Sequence, residues 1–112
     1  MAWFGGEVLQ TYNRVPGEYE SLTVGTEAVG LSPGKLKPAS GSYAGLAARV
    51  ALLSLEGGDI RFRLDGGAPG ANTGHYLTNG DTLVLTETQT LEKFQAVRVG
   101  EVNGTLQVTY FY

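Results

Sequence analysis

The 112-residue chain has the length of one ordinary domain, and it combines 42% hydrophobic residues with only 17% charged residues. Its formal net charge of −3 argues against a protein that neutralises phosphates, so no nucleic-acid partner is expected. The chain has no cysteine and no stretch near the about 20 apolar residues that span a bilayer, so neither a disulfide framework nor a membrane partner is expected.

Residues 1–20 predict an N-terminal arm that contains no more than one strand. Its large aromatic residues, Trp3, Phe4, Tyr12 and Tyr19, are separated by polar residues and glycines without a sustained period. Large aromatic side chains dominate both domain cores and protein interfaces. The arm is therefore expected either to close the base of its own core or to dock on a neighbouring subunit.

Residues 21–31 suit a strand that is bent or broken near Gly25. Residues 32–45, SPGKLKPASGSYAG, contain two prolines and three glycines, and they predict a long connection inside the domain. Residues 46–55, LAARVALLSL, contain helix-favouring Ala and Leu, but they run into a Gly57-Gly58 pair. A Gly-Gly pair between two apolar runs is typical of a β-hairpin, so we expect a strand here that pairs with the next one.

The clearest strand covers residues 60–64, which alternate strictly between the two faces of a sheet. One face carries Ile60, Phe62 and Leu64, and the other carries Arg61, Arg63 and Asp65. The glycine-rich residues 65–81 follow as an excursion with two turns. Residues 82–88 then predict another short strand.

The remaining sequence predicts a second hairpin, in which strands 94–99 and 105–112 flank a turn at 100–104. Six to eight short strands separated by turn signals indicate an all-β protein, built as a single-domain antiparallel β-sandwich or a jelly-roll-like barrel. In this interpretation residues 1–20 are the arm and residues 21–112 are the β-sandwich domain.

No residue pattern indicates catalysis, so the protein is not expected to be an enzyme. Nucleophilic catalysis would depend on the single histidine, His75, which at a loop-to-strand boundary more often bonds neighbouring backbone. One imidazole without any thiolate does not make a zinc site. Asp59, Asp65 and Asp81 lie beside glycine loops without the dense spacing of a calcium loop, so turn formation explains them better. Neither a metal nor a cofactor is expected.

Three arginines and one carboxylate form the most distinctive polar constellation. Arg61, Arg63 and Asp65 share a strand face, and Arg98 falls on a strand that could be a neighbour. The planar guanidinium group suits bidentate pairing with carboxylates. The constellation is expected to be either a solvated sheet face with an internal ion pair or a surface that holds acidic residues of a partner.

Three consecutive aromatic residues, Tyr110, Phe111 and Tyr112, place rings on both faces of the last predicted strand. A frayed segment would expose all three rings to water. We therefore expect this segment to be held either by the domain's own sheet or by a neighbouring copy.

Two stretches in the second part of the chain carry several structural motifs. They are ARVALLSLEGGDIRFRLDGGAPGANTGHYLTNGDTLVL and FQAVRVGEVNGTLQVTYFY, within residues 48–112. Their motifs are I-R-F-R-x-D-G, G-x-x-L-x-x-G-D, F-x-A-x-R-x-G and L-x-V-T-Y. In these features the chain resembles small β-rich structural proteins of tailed bacteriophages. The resemblance implies a non-enzymatic component of a virus particle and brings no catalytic residues with it.

The leading hypothesis is a capsid decoration or cement protein that stabilises the assembled capsid as a homo-oligomer, with a trimer as one expected form. Its partners would be further copies of itself and the major capsid protein or other virion proteins. The expected interface residues are Trp3, Phe4, Arg61, Arg63, Arg98, Phe111 and Tyr112.

The expected location is the virion, after synthesis in the host cytoplasm, because the first residues do not read as a secretory signal. One alternative is a head–tail connector or tail structural protein. The other is a carbohydrate-binding β-sandwich module that presents Trp3, Tyr43 and Tyr76 to sugars.

Overall fold

A computed structural model describes residues 15–112, which form two four-stranded antiparallel sheets packed against each other. In chain order the elements are β1 (Pro16–Val24), β2 (Val29–Gly30), α1 (Pro33–Leu36), β3 (Val50–Gly57), β4 (Ile60–Arg63), β5 (His75–Leu77), β6 (Thr82–Thr86), α2 (Thr88–Lys93), β7 (Gln95–Arg98) and β8 (Gly104–Phe111). Sheet A has the order β1-β8-β3-β6, and sheet B has the order β2-β7-β4-β5. The prediction of an all-β sandwich is confirmed.

The strand order is that of a jelly roll. β1 pairs with β8, β2 with β7, β3 with β6 and β4 with β5. These are the pairs that one long antiparallel ribbon makes, and winding the ribbon into two layers adds the contacts of β3 with β8 and of β4 with β7. Between the two folds expected from the sequence, the connectivity therefore selects the jelly roll.

Neither predicted hairpin forms, because each of them joins strands of different sheets. β3 and β4 pair with β8 and β7 as one ribbon that bends from sheet A into sheet B. At the bend the Gly58 amide donates to the Asn103 carbonyl, and the Val99 amide donates to the Asp59 carbonyl, both at 3.0 Å. A Cβ atom on Gly58 would lie 2.0 Å from the Val102 carbonyl oxygen. The Gly-Gly pair thus marks a close approach of two chain segments and not a hairpin turn.

β1 begins at Pro16, so the arm boundary predicted at residue 20 falls inside a strand. The alternation of this strand is hidden in the sequence because one of its half-buried positions is Glu20. The Glu20 carboxylate accepts hydrogen bonds from the Tyr110 hydroxyl and from both the hydroxyl and the amide of Ser32. Polar partners inside the fold replace the apolar contacts that a sequence pattern would reveal. Residues 1–14 of the predicted arm lie outside the described residues.

The strand predicted over residues 21–31 is divided between the two sheets. β1 ends at Val24 in sheet A, and the chain passes Gly25 before β2 begins in sheet B. The predicted break near Gly25 is confirmed. The short elements β5, α1 and α2 were missed, because each lies in a segment of turn-forming or polar residues.

The core lies between the sheets and is filled by the inward-facing residues of both. The strand predicted over residues 46–55 is observed as β3, but it begins at Val50 and ends at Gly57, and its Leu53 is fully buried. β4 and β8 show the predicted alternation of buried and accessible positions. Helix α2 adds the buried Leu91, and Phe94 beyond it stacks on Phe62 with ring centroids 5.8 Å apart. Neither helix described for residues 15–112 has the length and apolar content to cross a membrane.

Candidate interaction surface

Arg61 braces a loop against the outer face of sheet B. Its Nε donates to the Ala71 carbonyl at 3.0 Å, and its Nη1 donates to the Gly74 carbonyl at 2.8 Å. Gln95 on the neighbouring β7 donates at 2.8 Å to a third carbonyl of the same loop, residues 64–74. The loop therefore covers part of the outer face of sheet B, and the Arg61 guanidinium is engaged within the domain.

Arg63 forms a bidentate ion pair with Asp65. Arg63 Nε lies 3.0 Å from one Asp65 carboxylate oxygen, and Nη2 lies 2.6 Å from the other. These hydrogen bonds, helped by the Gly67 amide, lower the pKa of Asp65 to about 2, and they raise the pKa of Arg63. The internal ion pair expected on this face is present, while contact with a partner stays a prediction.

Arg98 lies on the neighbouring strand but on the opposite face of the sheet. The register pairs Arg98 with Ile60, and Ile60 is fully buried, so Arg98 belongs to the inward-facing row. Its Nη1 donates to the Asn103 side chain at 2.8 Å, and its buried Nε has no hydrogen-bond partner among the described residues. The structure therefore separates Arg98 from Arg61 and Arg63.

Tyr76 is an accessible aromatic residue of sheet B, with 46% of its surface exposed. The Arg61 guanidinium lies over this ring, 5.0 Å from the centroid, and the Tyr76 hydroxyl donates to Asp59 at 2.8 Å. That hydrogen bond raises the pKa of Tyr76. Tyr76 and Asp59 also line an open depression of about 320 Å³. The other candidate sugar-binding ring of the described chain, Tyr43, stacks on Tyr112 at 4.9 Å.

His75 lines a second depression, of about 560 Å³, together with Arg63, Asp65, Thr73 and Gly74. The Arg63–Asp65 pair neutralises the charge of this depression, and the His75 ring lies 5.3 Å from Phe62. Within residues 15–112, no three His, Asp or Glu side chains are grouped so that they could hold a metal ion.

Phe111 in β8 and Tyr112 directly after it, both predicted as interface residues, have different surroundings. The Tyr112 hydroxyl donates to the Lys35 carbonyl, and burial raises the pKa of Tyr112 to about 12. Phe111 pairs with Val50 and Pro16 on the outer side of sheet A and remains partly accessible. Tyr112 is thus held by its own domain, while Phe111 faces outward. Trp3 and Phe4 lie outside the described residues.

The outer face of sheet A is the surface that the sequence interpretation missed. By register and alternation its residues are Tyr19, Ser21, Thr23, Val50, Leu52, Ser54, Glu56, Thr82, Val84, Thr86, Thr105, Gln107, Thr109 and Phe111. Among these described positions Glu56 carries the only charge, and all except Val50 are at least partly accessible. The available signal was the series of uncharged residues between the core positions of β8.

This face divides into a polar half and an apolar half. In the polar half Gln107 accepts a hydrogen bond from the Tyr19 hydroxyl and donates one to Glu56 at 2.7 Å. The apolar half contains Val50, Leu52, Val84 and Phe111, which occupy two adjacent rows of the register. The apolar half is also the end at which β1 begins, since Pro16 pairs with Phe111.

Comparisons of the chain with protein-family models, curated proteins and solved structures found no match.

Proposed function

We propose that this chain is a non-enzymatic structural protein of a tailed-phage particle, and specifically a capsid decoration or cement protein that binds the assembled capsid as an oligomer. The observation that carries the proposal is the accessible, almost uncharged outer face of sheet A. The resemblance of residues 48–112 to phage structural proteins supports the choice of a virus particle. A head–tail connector or a tail protein would use the same surface in the same way.

Charged side chains are almost absent from the outer face of sheet A. A sheet face that works only in water usually carries charged side chains, and charge is depleted at the centre of protein interfaces. On sheet A uncharged residues, mostly threonine, serine and aliphatic residues, take the outward positions of all four strands, and Glu56 is the exception at one end. Covering such a face avoids the large desolvation cost of burying charges, and its hydroxyl groups can hydrogen-bond with the covering protein. The outer face of sheet B, in contrast, is partly covered by the domain's own loop.

The test is the composition of the particles made by cells that carry the gene. Mass spectrometry of purified particles should detect the chain at a copy number comparable with that of the major capsid subunit. Leu52→Lys places a charge in the apolar half of the face and should reduce incorporation at least about tenfold, the equivalent of 1.4 kcal/mol. Val102→Lys is the matched control, because Val102 is a 64% exposed aliphatic residue away from this face. A chain that is absent from the particles, or equal loss for the two variants, would contradict the proposal.

A carbohydrate-binding module is the second candidate, favoured by the exposed Tyr76 beside an open depression. The Arg61 guanidinium already lies over the Tyr76 ring, and Tyr43 already stacks on Tyr112, so these rings have less free surface for a sugar. A glycan array probed with the purified chain separates the two candidates. A strict monomer that binds a glycan, and loses it on Tyr76→Ala, would favour the second candidate over the first.

A further inference from the structure

We infer that the apolar half of the outer face of sheet A is the docking site for residues 1–14 of a neighbouring copy of this chain. This inference rests on the proposed function, because it supplies the contact that would hold the oligomer together. Three features support it. They are the size of the apolar half, the place where residues 1–14 join β1, and the composition of residues 1–14.

The apolar half has the size of a short chain segment and not of a domain. Its residues lie on three strands, and three strands at about 4.8 Å spacing with two side-chain rows at about 7 Å give roughly 14 by 14 Å, or about 200 Å². A stable dimer buries about 800 Å² on each partner. A second domain packed only on this area would be held weakly. Four or five extended residues, at about 3.3 Å each, cross the same width completely.

The segment with the matching chemistry joins the fold beside this area. Residues 1–14, MAWFGGEVLQTYNR, contain several large apolar side chains, among them Trp3, Phe4 and Leu9. The side chains of this segment that are charged at neutral pH are one glutamate and one arginine, so an almost neutral segment meets an almost uncharged surface. Burial of Trp3 and Phe4 supplies the type of aromatic anchor that dominates protein interfaces.

The direction of β1 favours a neighbouring copy over the chain's own face. The Tyr112 amide donates to the Val15 carbonyl at 3.2 Å, so at residue 15 the chain is still antiparallel to the end of β8 and is directed past it. The nearest glycines in the preceding sequence are Gly5 and Gly6. The nine residue steps from Gly6 to Val15 can reach at most about 30 Å, whereas the three steps from Gly6 to Trp3 can reach only about 10 Å. A reversal at the glycines would therefore leave Trp3 short of its own sheet and within reach of another copy.

The test uses disulfide trapping, because the chain has no cysteine of its own. Full-length chains with Ala2→Cys are mixed with full-length chains of different tag mass that carry Thr109→Cys. Thr109 faces outward in the same row of the apolar half as Leu52 and Val84. Both substitutions leave the large apolar side chains of the segment and of the face unchanged. The matched control is Ala28→Cys, an exposed position on the connection that follows β1 at its other end.

We expect the Ala2→Cys chain to form a covalent heterodimer with the Thr109→Cys chain at least about tenfold faster than with the Ala28→Cys chain. Adding Trp3→Ala to the Ala2→Cys chain should remove this difference in rate. Equal rates for the two pairs would overturn the inference. A further chain carries both Ala2→Cys and Thr109→Cys. If the disulfide forms only within this chain and not between chains, the inference is also overturned, because the segment then covers the face of its own domain. The measurement needs no capsid, so trapping by a chain that is absent from particles would refute the proposed function and leave this inference intact.

Discussion

Leu52 and Leu53 are neighbours on β3 that point to opposite faces of sheet A. Leu53 pairs in the register with Leu83 and Val108 and is fully buried in the core. Leu52 pairs with Val84 and Thr109 on the outer face and is only half-buried. Truncating each leucine to alanine therefore separates the stability of the fold from the use of its outer face.

The magnitudes follow from burial. Leu53→Ala removes three fully buried carbon atoms, worth about 0.8 kcal/mol each, and leaves a cavity, so the expected loss of unfolding free energy is about 3–4 kcal/mol. Leu52→Ala removes partly hydrated atoms and opens no internal cavity, so the expected loss is about 1 kcal/mol. For a domain of this size these values correspond to a decrease in Tm of about 12–32 °C and about 4–8 °C, respectively.

Urea unfolding followed by circular dichroism measures both values, at one protein concentration because association would shift the apparent stability. Light scattering on the folded proteins supplies the second readout. Leu53→Ala should leave self-association unchanged under conditions where it is folded, and Leu52→Lys should weaken self-association. If Leu52→Ala were as destabilising as Leu53→Ala, β3 would be shifted by one residue, which would reverse the two faces of the strand and refute the surface argument.

Three other perturbations address the ribbon bend, the buried tyrosines and the N-terminal segment. In Gly58→Ala the added Cβ would lie 2.0 Å from a backbone carbonyl oxygen, so the free energy of unfolding should fall by more than about 2 kcal/mol in thermal unfolding. Gly100→Ala is the control, because no atom lies within 4 Å of its Cβ, and it should change the free energy of unfolding by less than about 0.5 kcal/mol. Burial raises the pKa of Tyr110 and of Tyr112 above the ordinary value of 10, the latter to about 12, so unfolded chains lose these protons first. Their contribution to stability should be complete below pH 10 and decline as the pH rises towards 12, and replacing both tyrosines with phenylalanine should flatten this decline in an alkaline unfolding series. Deletion of residues 1–12 should reduce the oligomer mass in light scattering more than it lowers Tm, and an unfolded deletion protein would show that the segment belongs to the core.

The strands that were predicted well are those whose core positions are apolar and whose outward positions are polar. Ile60 and Phe62 alternate with arginines on β4, and the burial of β8 follows the same period. A half-buried strand imposes this pattern directly on the sequence. The pattern fails in the middle of β1, where Glu20 is held by the hydroxyls of Tyr110 and Ser32.

Strand pairing was predicted less well than strand location, because a turn signal reports only on local backbone. Gly57-Gly58 was assigned to a hairpin since its neighbours in sequence are two apolar runs. In a jelly roll, strands that are close in sequence separate into different sheets, and β1 pairs with β8 across most of the chain. The glycines are needed because the segment before β8 approaches them closely, and this contact cannot be recognised from nearby residues.

The position of Arg98 shows how one residue of register decides the composition of a surface. Arg98 was grouped with Arg61 and Arg63 because their strands were expected to be close, and β4 and β7 do pair. In an antiparallel pair, directly opposed residues share a face, and Arg98 opposes Ile60 and not Arg61. The choice between the two faces depends on the strand register, which the spacing of the arginines in the sequence does not contain.

The two outer faces explain why a search for distinctive residues selected a different surface from the one proposed for assembly. Arg61 and Arg63 are conspicuous in the sequence, and the hydrogen bonds of their guanidinium groups hold a loop and an aspartate of the same domain. An assembly surface is defined in large part by the charges that it lacks, and a lack of charge produces no motif. It becomes visible only when the register brings the uncharged positions of β1, β8, β3 and β6 onto one face. In a jelly roll of this kind, the strand register and not the local sequence therefore determines which residues form the uncharged face.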